Sequence, residues 1–229
     1  MSLLTIAIAP VAIILFYIYF RDKYEKEPIR LLLTALVWGC LITIPIFCIE
    51  RLLTIPVSKM SGIASAAYES MVVAGVTEEL FKFLAFMLLF WNNRQFNEKF
   101  DGIVYATFIS LGFALVENIL YVFNQGMGTG VVRAFTAVPA HALFGIIMGY
   151  QFALAKFHPS ERILRIIIAL ILPVSLHGIY DFILISGHDL LLLLFIPYII
   201  FLWIFGFRRM RRLSDKSPYR WISGKRSSL

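Results

Sequence analysis

An all-α bundle that crosses a membrane several times is what this sequence predicts, on three observations. The 229 residues are 60% hydrophobic and only 15% charged, with a mean hydropathy of +0.82, far above a soluble domain. The apolar residues gather into stretches near 20 residues, the length a helix needs to cross a hydrocarbon layer of about 30 Å. The lysines and arginines gather mainly in every second connection between those stretches. Nothing is left over for a second, soluble domain, so 1–207 reads as one transmembrane helical domain and 208–229 as a basic tail.

Seven spans emerge in order: 3–20, 31–50, 69–90, 102–124, 131–155, 163–185 and 189–207. The first lacks a basic leader, and Tyr17-Ile18-Tyr19-Phe20 is no small-residue cleavage site, so it reads as a retained helix. The second holds Cys40 and Cys48, whose spacing is not that of a metal site. Residues 51–68, with Pro56, Ser58, Gly62 and Ser65, read as interfacial or as a re-entrant segment. The third span carries Thr77-Glu78-Glu79-Leu80-Phe81-Lys82, and after a polar loop Asp101 suits the N-cap of the fourth. The fifth contains Pro139, His141, Gly145 and Gly149; the sixth contains Pro173, His177 and Asp181. Lysines and arginines in the odd-numbered loops and the tail number 17, against three in the even-numbered loops. That bias predicts an external N-terminus and a cytoplasmic C-terminus. Eight of the 21 basic residues follow Phe207, and a basic tail after a membrane helix points to topology and anionic lipid, with no nucleic-acid partner.

Ionisable groups inside a membrane cost on the order of 3 kcal/mol or more each, which makes them functional candidates by default. Measured along each helix, Glu78 and Glu79 lie about 17 Å from the cytoplasmic end, Glu117 about 22 Å, and His141 and His177 about 21 Å. Helices running alternately up and down thus bring their strongly polar groups to one level in the outer half of the membrane. Glu78 and Lys82 are spaced to share a helix face, and so are His177 and Asp181, where the carboxylate can hold one imidazole nitrogen. Pro139 and Pro173 each remove a helix hydrogen bond and kink the backbone near a histidine, and Gly145 and Gly149 allow close helix approach. Glu117-Asn118 adds an acid and an amide. His158 and His188 read as solvated loop residues.

Two carboxylates and two histidines in a wet membrane chamber suit activation of water for amide hydrolysis. Glutamate can act as the general base, and the imidazoles can bind a zinc ion or polarise the scissile carbonyl. No His-Glu-x-x-His and no Gly-x-Ser-x-Gly occurs, and Asp181 is the one mid-membrane aspartate, so the other intramembrane hydrolase recipes fail. The competing reading is a proton-coupled transporter, since buried Glu, Lys and His also build proton relays. A non-catalytic scaffold gripping a partner helix is a third.

At these residues the sequence resembles the PrsW intramembrane proteases, related to the CAAX-prenyl protease group. The likeness rests on Glu78-Glu79-x-x-Lys82, Phe113-x-x-x-Glu117, His141 in Val-Pro-Ala-His-Ala-Leu, and His177-x-x-x-Asp181, with Glu27-Pro28 and Asp101-Gly102-Ile103-Val104-Tyr105 alongside. It implies a multi-pass protease of the bacterial cell membrane that makes the first cut in a single-span anti-sigma factor, freeing a sigma factor after a second protease acts. Carried over, Glu78, Glu79, His141 and His177 are catalytic; Lys82, Glu117, Asn118 and Asp181 support them; and Glu79, His141 and His177 are the candidate zinc ligands. Relative to the wider group, Lys82 stands where an arginine one residue later is usual, Glu117 replaces a histidine, and Asp181 an asparagine.

Overall fold

The computed structural model describes residues 2–214, and every regular element among them is helical. The helices are α1 (Leu3–Arg21), α2 (Ile29–Leu41), α3 (Thr43–Leu53), α4 (Gly62–Tyr68), α5 (Thr77–Leu89), α6 (Lys99–Gln125), α7 (Met127–Phe135), α8 (Ala137–Phe157), α9 (Arg162–Ile185), α10 (Asp189–Leu193) and α11 (Phe195–Ser214). A π-helical stretch, Glu69–Val76, joins α4 to α5 in one continuous rod. Among the described residues, six helical runs are long and apolar enough to cross a membrane by length and composition. The α4–α5 rod stands where the third span was expected, but Glu69, Glu78, Glu79 and Lys82 make it too polar to count with the six.

The keel of the bundle is the pair α6 and α8, the most buried of the spans. Small residues let the two backbones meet. A methyl group on Gly149 would run into Gly102 O, and one on Gly145 would sit 2.9 Å from Thr107 Cα. The same device joins α2 to α6, where Gly39 and Gly112 each face the other helix's backbone. Around this keel stand α1, α9 and α11, the run from Asp189 to Ser214 being the least buried of the candidate spans.

Residues 51–68 finish α3, form a short 3-10 turn (Ile55–Lys59) and start α4, with Met60 and Ser61 extended between them. Two local expectations are corrected. Asp101 is not the N-cap of α6. Glu98 holds that position and Asp101 sits one turn in, its Oδ2 accepting the backbone N–H of Glu98 at 2.7 Å and of Asn97 at 2.9 Å. Pro139 kinks nothing. The chain breaks at Thr136 between α7 and α8, and Pro139 falls in the first turn of α8, where its missing N–H has no intrahelical partner. Pro173, by contrast, is mid-helix in α9. The α11 helix runs past the expected boundary at Phe207 to Ser214; the rest of the basic tail lies outside the described residues.

At the α1–α2 turn, Asp22 and Glu27 are buried, and the Tyr105 hydroxyl donates to Glu27. The backbone N–H of Glu27 donates to Asp22 Oδ2 at 3.2 Å. Burial raises the Asp22 carboxyl from its ordinary 3.8 to about 7. The folded protein therefore keeps a proton there that the unfolded chain releases near pH 4. The resulting stabilisation is complete below about pH 4 and is lost as the pH climbs to about 7. Thermal unfolding followed across that window should show the midpoint falling with pH, and Asp22→Asn should flatten the fall. An unchanged slope in the variant would remove Asp22 as its source.

Candidate active site

The site is assembled by packing that begins with glycine. A methyl on Gly75, in the π-helical stretch, would lie 3.1 Å from Val174 O and 3.2 Å from Gly178 N, and one on Gly178 would strike Met71. The rod can lie this close to α9 only because both positions are bare. Thr77 Oγ1 donates to Val72 O at 3.3 Å, five residues back, which caps the wide π turn before α5 begins. Glu78 and Glu79 then occupy the first turn of α5, facing His177 of α9 and His141 of α8.

Glu79 and Lys82 form the buried centre, 0% and 1% exposed. The Lys82 ammonium donates to Glu79 Oε1 at 2.7 Å and to Glu78 Oε2 at 3.1 Å, so it pairs with both acids rather than with Glu78 alone. It also lies 3.3 Å from His141 Nδ1 and 4.2 Å from the centre of the Phe113 ring. A charge this deep persists because every face of it is met.

Each histidine is held from behind by a carboxylate. His177 Nε2 donates to Asp181 Oδ2 at 3.1 Å, the contact expected from their spacing, and His141 Nε2 donates to Glu117 Oε2 at 2.9 Å. Both imidazoles thereby turn Nδ1 toward the two glutamates, with His177 Nδ1 2.9 Å from Glu79 Oε1. A nitrogen and a carboxylate oxygen this close must share a proton. The ring of Phe144 stacks on His177 with centroids 5.0 Å apart and fixes its plane.

Glu78, His141, His177 and Asp181 line a cleft of about 330 Å³, while Glu79 and Lys82 lie behind its wall. The cleft is off-centre along the bundle. Glu117 and His177 are each about 12 Å from the nearer end of their helix and His141 about 6 Å, against more than about 20 Å to the other end. That far end carries Arg21, Lys99, Arg162 and the arginines of α11.

Several contributors escaped sequence reasoning. Arg133 donates to Glu117 at 2.7 Å and to Asn118 Oδ1 at 3.0 Å, so it steadies the acid that steadies His141. It read as a loop-edge charge because the break at Thr136 hides that α7 folds back over the site. Glu50 and Glu69 also line the cleft; the only signal for either was an acid at the end of an apolar stretch. Asn118 does not reach the centre: its Nδ2 donates to Ala7 O at 2.9 Å, tying α6 to α1.

One donor atom from each of Glu78, Glu79, His141 and His177 lies within 4.8 Å of all the others. The group fits a divalent metal such as zinc. It combines imidazole nitrogens with carboxylates, each histidine is backed by a carboxylate as metal-binding histidines are, and Glu79 Oε2 is buried without a partner. The Lys82 ammonium, drawn in among the same oxygens, is the cation such an ion has to meet.

The profile of a family described as "PrsW family intramembrane metalloprotease" matches residues 27–206. The chain is 38% identical to "Protease PrsW" of Oceanobacillus iheyensis over 217 residues, 95% of this chain and 98% of that protein. It is 34% identical to the protein of that name from Clostridioides difficile, covering 95% and 93% of the two chains. With the Bacillus subtilis protein so named it shares 34% identity, over 92% and 95%. No solved structure matches the chain.

Proposed function

The chain belongs to the PrsW family of intramembrane metalloproteases, and from that premise we propose that it makes the first cut in a single-span anti-sigma factor, near the outer face of the membrane, and so switches on a sigma factor. That it is a peptidase and a multi-pass protein of the bacterial membrane follows from the family and the six candidate spans. This sets aside the proton-coupled carrier.

The observation that carries the reading is the four-donor group opening on a cleft. Glu78 faces the cleft and is the base that takes a proton from the attacking water. Glu78 then returns that proton to the leaving amine, while Asp181 holds the His177 ring in place. Lys82 holds Glu79 in place. Arg133 has N–H groups left after binding Glu117 and Asn118, and these meet the charge that develops on the carbonyl oxygen. Glu79, His141 and His177, with Glu78 adjoining, would hold a divalent ion, which would supply Lewis-acid polarisation of the carbonyl and a more acidic water.

With the α4–α5 rod counted as a seventh crossing, an external N-terminus and a cytoplasmic C-terminus are supported by the basic residues at the end of the bundle away from the cleft. In that orientation the cleft opens toward the outside, the side on which a first cut frees an extracytoplasmic domain.

The test is cleavage of a purified single-span anti-sigma factor by the protein in liposomes, with and without a chelator. One cut in the outer third of the substrate span is expected, lost on chelation and restored by zinc. A cut at the cytoplasmic end, or none, would overturn the substrate and orientation. Full cleavage by protein stripped of metal would remove the ion from the reaction.

A further inference from the structure

On the opposite side of α8 from the cleft, α1 and α11 approach each other edge to edge at Tyr17 and Phe207, whose rings are 6.1 Å apart. The rest of the space between them is a trough floored by α8. At its basic end a chamber of about 490 Å³ is lined by Tyr17, Trp203, Phe207 and three arginines, Arg21, Arg208 and Arg211. Tyr17, Trp203 and Phe207 also border a second chamber of about 270 Å³. That one shares Ile13, Ile14 and Pro139 with a third of about 530 Å³ reaching Ile6. The three are one continuous channel. Its head is cationic, and beyond it no ionisable side chain lines the wall apart from the Tyr17 phenol.

We propose that this trough binds one anionic diacyl phospholipid, with its phosphate on Arg21, Arg208 and Arg211 and an acyl chain lying along α1, α8 and α11. Four observations converge on that occupant. Among the described residues no acidic one lines the head chamber, and none forms an ion pair with any of the three arginines. The Nε of Arg21 is buried with no hydrogen-bond partner, and a phosphate oxygen is the acceptor that guanidinium geometry suits. Arg209, by contrast, lies over the Tyr150 and Phe205 rings and stays out of the chamber. From Tyr17 to Ile6 the apolar part runs about 17 Å, close to the roughly 15 Å of one leaflet's hydrocarbon. Tyr17, between the cationic and apolar parts, marks the headgroup level, as such residues do at membrane interfaces.

A substrate helix is the wrong occupant, because the trough shares no lining residue with the cleft and α8 stands between them. The lipid also supplies what α11 lacks. The run from Asp189 to Ser214 is the least buried of the candidate spans, and an acyl chain fills the gap beside Trp203.

The deciding measurement is native mass spectrometry of the purified full chain with equimolar phosphatidylglycerol and phosphatidylcholine, at about 0.5 M salt to screen exposed charges. One phosphatidylglycerol per chain should be retained, preferred about tenfold or more over phosphatidylcholine. The R21Q/R208Q/R211Q protein should lose that preference, and R209Q should keep it. Glycerol 3-phosphate, the headgroup without chains, should not displace the lipid. Equal retention of the two lipids, a preference that survives the triple exchange, or displacement by glycerol 3-phosphate would each overturn the proposal. If the triple variant does not fold, R21Q alone decides, with at least about a threefold loss expected from one removed contact; no loss overturns the site.

Discussion

Glu78→Gln should lower the rate of substrate cleavage by about 10²–10⁴-fold, the range a positioned general base contributes, while leaving substrate capture and folding close to wild type. Glu78 is the glutamate on the cleft wall, whereas Glu79 is 0% exposed and spent on Lys82 and His177. The amide keeps the shape and one acceptor oxygen, so the Lys82 contact is weakened and the helix is not displaced. Single-turnover cleavage, paired with cross-linking to an uncut substrate, separates chemistry from binding. If Glu78→Gln cleaves within about twofold of wild type while Glu79→Gln is dead, the base is Glu79 and the cleft-facing acid is a bystander.

Lys82→Met should destabilise the protein by about 3–5 kcal/mol, the loss usual when one partner of a buried ion pair is removed. Two adjacent carboxylates and a histidine would then face an uncharged thioether in a chamber closed to water on that side. Unfolding in detergent, followed by helix content, measures the loss. Lys82→Met combined with Glu78→Gln should recover part of it, because one buried charge fewer is left unmatched. An unfolding midpoint unmoved by Lys82→Met would mean that the ammonium does not hold the acids. Lys82→Arg is no rescue, since a planar fork cannot take the place of a compact ammonium between two oxygens and an imidazole nitrogen.

What could be read from the sequence was whatever depends on one helix at a time, or on depth. The His177–Asp181 contact follows from a spacing of four, and the meeting of Glu78, Glu79, His141 and His177 from helix rise alone. The double pairing of Lys82 was missed because the four-residue spacing to Glu78 drew attention from the three-residue spacing to Glu79, which serves as well. Errors gathered where the chain departs from a straight rod. Spans 131–155 and 31–50 were taken as unbroken, so the folds at Thr136 and Ile42 were invisible, and with them the inward turn of Arg133 and Glu50. Pro139 was misjudged for the same reason: its effect depends on where the helix starts, and periodicity places that only to within a few residues. Asp101 was one turn out because two acids near a helix start compete for the cap, and the backbone geometry chooses between them.

The π-helical turn ahead of Glu78 separates two properties that an ordinary membrane helix ties together. In a regular α-helix, reach across the bilayer and compass bearing of a side chain advance in lockstep, about 1.5 Å and 100° for each residue. The stretch Glu69–Val76 breaks that lockstep, so the rod gains height while its acids are re-aimed at α9. Evolution of this helix can therefore retune the membrane thickness it matches and the direction its acids point as two separate dials.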